Sequence, residues 1–142
     1  MNDKPLISIL MNSYNGERYL ADSVGSLINQ SYQNWELIFY DNCSSDNTKK
    51  IINNFKDKRI KYFRSEKYLT LGQARKSAEV HLKGEFIGIL DSDDIWLKNK
   101  IKDQIKYFND DNVGLIFSAS IFFNDVKEVK IFPYKKFIKK NL

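Results

Sequence analysis

Three carboxylates, Asp91, Asp93 and Asp94, crowd into four positions directly after the apolar run Phe86-Ile87-Gly88-Ile89-Leu90. A buried strand that delivers several acids to its carboxyl end is unfavourable on its own, because like charges at short range repel and resist desolvation. A hard cation resolves the conflict. Asp oxygens suit Mg2+ or Mn2+, and such ions take one or two protein carboxylates while substrate phosphates complete the coordination. The plain alternative is a polar loop with an Asp capping the next helix. Two more polar clusters follow apolar runs: Asn12-Ser13-Tyr14-Asn15-Gly16 and Asp41-Asn42-Cys43-Ser44-Ser45-Asp46. These residue types also make turns and caps, and Ser44, Ser45 and Asp46 include at least one cap for a helix beginning near Asn47.

The elements that must position these clusters are legible as alternation. Apolar runs of strand length occur at residues 6–11, 35–40, 60–63, 86–90 and 113–117. Between them lie helical spacings: Leu20, Val24, Leu27 and Ile28; Ile51, Ile52 and Phe55; Leu71, Ala74 and Ala78; Leu97, Ile101, Ile105 and Phe108. The expectation is an α/β fold, a mostly parallel Rossmann-like sheet flanked by helices and buried on both faces. In such a sheet ligands bind outside the carboxyl ends of the strands, so the three clusters converge on one edge. After residue 117 come strand-like pieces at 121–123 and 126–131 that no helix follows.

These residues resemble the nucleotide-sugar-dependent glycosyltransferases of family 2, with the GT-A fold. Asn12-Ser13-Tyr14-Asn15 is similar to the family's opening loop, and residues 30–38, Gln-Ser-Tyr-Gln-Asn-Trp-Glu-Leu-Ile, to its approach to the second strand. Residues 41–48 resemble the Asp-Asp/Asn-Gly-Ser-x-Asp signature, Gly72-Gln73-Ala74-Arg75-Lys76 a Gly-x-Ala-Arg-Asn element, and Asp91 to Asp93 an Asp-x-Asp motif. The resemblance runs in order over residues 5–111. It implies that Asp41 and Asn42 contact the base, that Ser13 and Tyr14 line the nucleoside pocket, and that Arg75 faces the nucleotide. It also implies that Asp93 coordinates the cation while Asp91 holds the ribose or shares the metal. The implied reaction is inverting transfer from a nucleoside diphosphate sugar, a UDP-sugar, to a glycan or lipid-linked acceptor, with Mn2+ or Mg2+ as cofactor. Cys43 stands where the family usually has Gly, Lys76 where it has Asn, and no Asn-x-Gly precedes Gly72. About 48 residues follow Asp94, fewer than the family uses for its acceptor half, so no catalytic base is named from the sequence.

Composition narrows the rivals. The net charge is +5, but six lysines between Lys127 and Lys140, set against Glu128, carry all of it and residues 1–126 balance to zero. A nucleic-acid binder carries its basic stripe on the folded body, so no nucleic-acid partner is expected. The organisation expected is a partial nucleotide-sugar-binding domain over 1–126 and a basic, aromatic tail over 127–142. That tail reads either as the edge of a missing half or as a peripheral contact with an anionic membrane. The single cysteine, Cys43, excludes an intramolecular disulfide and fits a reducing, cytoplasmic location, at most against the inner face of the membrane. His81, the only histidine, is expected within a helix in an ordinary packed or surface role. Two alternatives stay open: a non-catalytic nucleotide-sugar-binding module that needs a partner chain or a second copy, and a nucleotidyltransferase. The latter expects a Gly-rich basic loop after the first strand, which residues 12–16 match poorly.

Overall fold

The computed structural model describes residues 4–123 and, for the backbone, 130–132. The chain divides into two compact units, Met1–Lys106 and Tyr107–Leu142. In the first, β1 (Ile7–Ser13), α1 (Leu20–Ile28), β2 (Trp35–Asp41), α2 (Thr48–Asn54), β3 (Ile60–Arg64), α3 (Leu71–Glu79), β4 (Phe86–Ile89) and α4 (Lys100–Ile105) follow in order. The sheet has the order β3-β2-β1-β4 and every pair is parallel. Strand progression therefore runs from β1 outward to β3 and then reverses to β4. The crevice between the carboxyl ends of β1 and β4 is the topological switch point.

Period-two alternation along the central strands builds two cores. Ile7, Ile9 and Met11 of β1 and Trp35, Leu37 and Phe39 of β2 face Leu20, Val24 and Leu27 of α1, Ile52 of α2 and Ile101 of α4. Leu10, Ile38 and Tyr40 face the other way, onto Ala74 and Ala78 of α3. The alanines let that helix lie close. A capping box starts it, with the Thr70 hydroxyl accepting from the Gln73 N–H and the Gln73 side chain accepting from the Thr70 N–H.

At the amino edge a buried carboxylate locks the turn into β4. Glu36 accepts from the Ser8 hydroxyl at 2.6 Å and the Lys83 N–H at 2.8 Å, and pairs with Lys61. Gly84 is obligatory there, because a Cβ would meet the Ser8 nitrogen at 2.4 Å. Burial pushes the Glu36 pKa up, but the hydrogen bonds from Lys61, Ser8 and Lys83 outweigh it and the carboxyl lies below its ordinary 4.5. A depressed carboxyl contributes stability that is present above the unfolded value and lost as pH falls through the folded one. Glu36→Gln is therefore expected to be less stable than wild type at neutral pH and to lose less on acidification below about 4.5. Urea midpoints across a pH series check this, and parallel acid limbs would refute it.

Three expectations need correction. Residues 113–117 form no strand: among the described residues they have no ladder partner, and an apolar run without one is not a strand. The last helix starts at Lys100, and Leu97, 73% exposed, lies ahead of it because residues 96–98 are hydrogen-bonded to Ser26, Gln30 and Ser31. His81 lies beyond α3, stacked on Phe63 with centroids 3.6 Å apart, and Leu71 opens that helix exposed. A 3-10 turn, Lys106–Asn109, spans the boundary between the units, and in the second unit β5 (Ser120–Phe122) pairs antiparallel with β6 (Lys130–Phe132). Apart from the backbone of residues 130–132, the basic tail lies outside the described residues. No helix among the described residues is long and apolar enough to cross a membrane.

Candidate nucleotide-binding edge

The first two polar clusters are laced to each other. The Asn15 N–H donates to Ser44 Oγ at 2.9 Å, the Ser45 N–H to Asn15 Oδ1 at 2.9 Å, and the Gly16 N–H to Thr48 Oγ1 at 2.9 Å. Asp46 accepts from the N–H groups of Glu17 and Thr48, and Glu17 in return accepts from Asn47. Of the residues expected to cap α2, Asp46 therefore does so, while Ser44 and Ser45 hold the first loop.

Asp41 is fully buried at the end of β2. Its carboxylate accepts from the Ser44 N–H at 2.7 Å, Tyr62 Oη at 2.7 Å and Arg64 Nη1 at 2.9 Å. Arg64 also donates to the Ser44 carbonyl at 2.8 Å. A buried carboxylate with three donors, one of them charged, is well satisfied and fixes the loop. Burial, and after it the bond to Asp41, hold the Tyr62 phenol above its ordinary range. Asn42, also buried, clamps the segment before α3: its amide donates to the Leu69 carbonyl at 2.8 Å and accepts from the Leu69 N–H at 2.9 Å.

Cys43 adopts φ 65°, the left-handed region that favours glycine. The residue differs from the family pattern while the backbone conformation is the one glycine serves. Cys43→Gly is expected to raise stability by up to about 1 kcal/mol, the relief of left-handed strain less the extra freedom of the unfolded chain. Cys43→Val should lower it by at least about 1 kcal/mol, since a β-branched residue tolerates that region worst. Denaturant midpoints of the two variants give the comparison.

The acidic cluster lies across the switch-point crevice. Its turn closes through the Asp94 N–H and the Asp91 carbonyl at 3.1 Å. Helix α1 holds it in place: Ser23 Oγ donates to the Asp91 carbonyl at 3.1 Å, and Ser26 Oγ accepts from the Trp96 N–H at 3.0 Å. Gln30 Nε2 donates to the Leu97 carbonyl at 2.9 Å while its Oε1 accepts from the Ile101 N–H at 3.2 Å. Trp96 lies against Gly88, where a Cβ would be only 3.0 Å from the indole. From α3, Arg75 Nη2 reaches Asp91 Oδ1 at 3.2 Å.

Asp91, Asp93 and Asp94 all present surface to solvent. Desolvation first, then the charges of Asp91 and Asp93, push the Asp94 carboxyl up, against the pull of Lys100. Burial pushes Lys100 down, against the attraction of Asp94. Among the described residues no three metal-ligating side chains enclose an ion site. The donor set nonetheless fits a cation completed from outside: hard oxygen ligands on one short turn, close enough that the charges of Asp91 and Asp93 are felt at Asp94. At the carboxyl end of β1, the strand beside β4, the side-chain amide of Asn12 and the hydroxyl of Ser13 are buried with no partner among the described residues, as is Arg75 Nε. A Cβ on Gly16 would lie 2.3 Å from the Ser13 hydroxyl and 3.3 Å from Ser92 Oγ, so the loop there passes close to both. Unpaired buried polar atoms are costly, and their gathering at a crevice marks a place where a ligand supplies the partners. A hollow of about 470 Å3 lined by Lys4, Ser31, Tyr32, Gln33 and Asn34 precedes β1 and β2, at the opposite edge.

The structure thus brings Ser13, Tyr14, Asp41, Asn42, Arg75, Asp91 and Asp93 to one edge of the sheet, with Asp41 and Asn42 as the buried supports of its loops. Sequence reading missed Asn12 as a site residue, together with the brace of Ser23, Ser26 and Gln30. Ser23 had a signal, as a polar residue in the apolar stripe of α1.

This arrangement is that of a GT-A glycosyltransferase domain. The structure of S. aureus TarS 1-349 in complex with UDP-GlcNAc superimposes with a TM-score of 0.69 at 29% identity, over 72% of this chain and 31% of that one. The mannosyltransferase PcManGT from Pyrobaculum calidifontis, in complex with GDP-Man and Mn2+, shares the fold with a TM-score of 0.74 at 20% identity, over 80% of this chain and 35% of that one. The chain belongs to Glycosyl transferase family 2, whose model matches residues 8–140. It is 41% identical over 115 residues, 81% of its length and 46% of the relative's, to the UDP-Glc:alpha-D-GlcNAc-diphosphoundecaprenol beta-1,3-glucosyltransferase WfgD of Escherichia coli. The chain spans about half the length of the curated relatives it matches.

Proposed function

We propose that this chain is the donor-binding part of a glycosyltransferase that takes a nucleoside diphosphate sugar, a UDP-sugar, and serves transfer to a glycan or lipid-linked acceptor with a divalent cation. The observation that carries the reading is the switch-point crevice, where β1 ends in unpartnered Asn12 and Ser13 and the adjacent β4 leads into a braced turn of three carboxylates. The likeness to a UDP-GlcNAc-bound structure and to a UDP-Glc-dependent relative supports the choice of nucleotide.

Asp93 and Asp91 would hold Mn2+ or Mg2+, which when bound supplies Lewis-acid neutralisation of the departing diphosphate. Arg75 keeps Asp91 oriented and adds positive charge at the same place. Ser13 and Tyr14 line the nucleoside, while Asp41 and Asn42 act toward the base through the loops they fix. The lysine-rich tail suits an anionic membrane surface on the cytoplasmic side, where lipid-linked acceptors present their glycans.

Calorimetric titration of UDP into the wild-type chain, with and without Mn2+, tests the reading. Binding that requires the metal is expected. Folded protein that takes up no nucleoside diphosphate in either condition would defeat it.

A further inference from the structure

Two tyrosines at the same edge are used by neither core. Tyr14, directly after β1, is 52% exposed, and Tyr68, between β3 and α3, is 64% exposed. Their rings meet edge to face, with centroids 4.8 Å apart and planes at 67°. This geometry is the attractive one for aromatic pairs. Nor is the second ring on a slack loop. Ser65 donates to the Asp41 carbonyl at 3.0 Å, Asn42 grips both polar groups of Leu69, and Thr70 opens the capping box of α3. Tyr68 is thus held between anchored residues on both sides, and one of those anchors is a residue expected to serve the base.

Placement across the sheet gives the pair its direction. The carboxylates and Arg75 belong to the β4 side of the crevice, where the phosphates would go. The aromatic corner combines the loop of β1 with the segment after β3, the opposite end of the order β3-β2-β1-β4. Adjacent strands are about 4.8 Å apart, so the two ends of the sheet are separated by roughly 14 Å. An extended nucleoside diphosphate anchored at one end has its base carried toward the other. Planar bases stack on aromatic faces.

Resting on the donor-site reading above, we propose that Tyr68 is a positioning residue: its ring buttresses Tyr14 and so fixes the plane against which the nucleobase stacks. The family-like loop after β1 supplies one wall, and a residue in the segment where this chain departs from the family pattern supplies the other.

The test compares UDP and pyrophosphate, each with Mn2+, by calorimetry on wild type, Tyr68→Ala, Tyr68→Phe and Asp93→Ala. Tyr68→Ala is expected to bind UDP about five- to tenfold more weakly while binding pyrophosphate as wild type does. Tyr68→Phe, which keeps the ring, should restore UDP binding to within about twofold. Loss of UDP and pyrophosphate affinity together, or unchanged UDP binding in Tyr68→Ala, overturns the proposal. If Asp93→Ala abolishes UDP binding while Tyr68→Ala leaves it intact, the donor site stands and the role of Tyr68 alone falls. Wild-type protein that binds no UDP refutes both.

Discussion

Asp93→Ala is expected to abolish the Mn2+-dependent part of UDP binding, a loss of more than about 100-fold, while leaving the fold and its stability essentially unchanged. The magnitude follows from how few protein ligands a site of this kind has. When phosphates complete the coordination, each carboxylate is a large fraction of what the protein contributes, and even residues that merely orient ligands are worth about 10- to 100-fold in metal affinity. The absence of a stability cost follows from exposure: Asp93 is open to solvent and its carboxylate accepts no hydrogen bond among the described residues. Asp94→Asn makes the contrasting case. Its carboxyl is pushed up by desolvation and by the charges of Asp91 and Asp93, so removing its charge relieves a conflict in the unliganded protein. That variant should be no less stable than wild type at neutral pH, and should keep more of the metal-dependent binding than Asp93→Ala does. Titrations of UDP with Mn2+ into both variants, beside their urea midpoints, decide the matter. Equal losses in the two would show that the turn acts only as a patch of negative charge, without a dedicated ligand at Asp93.

Why the acidic turn was readable and its support was not comes down to the range of the interactions involved. Strands β1, β2, β3 and β4 announce themselves because their apolar residues alternate or run together over several positions, a signal local in sequence. The carboxylates announce themselves because three acids after an apolar run are a local conflict. The apolar run at 113–117 gives the same local signal and forms no strand, since a strand also needs an edge to pair with. The brace of the acidic turn is non-local: Ser23 to Asp91, Ser26 to Trp96 and Gln30 to Leu97 are separated by 68, 70 and 67 residues. No spacing rule connects them. The start of α4 was misplaced for the same reason, because apolar Leu97 fits the helical stripe while its backbone carbonyl is held by Gln30, distant in sequence. Asp41 shows the reverse. Its position at a strand end was evident, but the donors that fill its carboxylate, Tyr62 and Arg64, come from β3, and only the register of β2 with β3, which pairs Asp41 with Arg64, places them there.

The strongest coupling between fold and site in this chain passes through Gln30, and Gln30→Leu is expected to damage both. The side chain is 1% exposed and fully employed. Its amide nitrogen serves the carbonyls of Ser26 and Leu97, and its oxygen accepts from the N–H of Ile101, in the first turn of α4. Asn99, the residue at the cap position of α4, makes no side-chain cap bond, so Gln30 does that work from the segment just after α1. Leucine has similar bulk and no polar atoms, so the substitution leaves no large cavity but strips the Ile101 N–H of its acceptor and takes one donor each from the Ser26 and Leu97 carbonyls, the latter still accepting from the Lys100 N–H at 2.9 Å. An unsatisfied buried donor costs about 1–3 kcal/mol and the lost carbonyl bonds add to it, which puts the expected loss of stability at about 2–4 kcal/mol. The functional consequence follows from where those groups lie. Residues 96–101 anchor the far end of the acidic turn, and with that anchor loosened Asp91 and Asp93 sample positions that no longer match a bound diphosphate. UDP affinity in the presence of Mn2+ should fall by about tenfold at a temperature where the variant is still folded. Gln30→Glu keeps an acceptor for Ile101 but sets a buried charge against the carbonyls of Ser26 and Leu97, so at neutral pH it should lose at least as much stability as Gln30→Leu. A variant that loses stability yet binds UDP with wild-type affinity would mean that Ser23 and Ser26 alone hold the turn, and that Gln30 serves only the packing of α4.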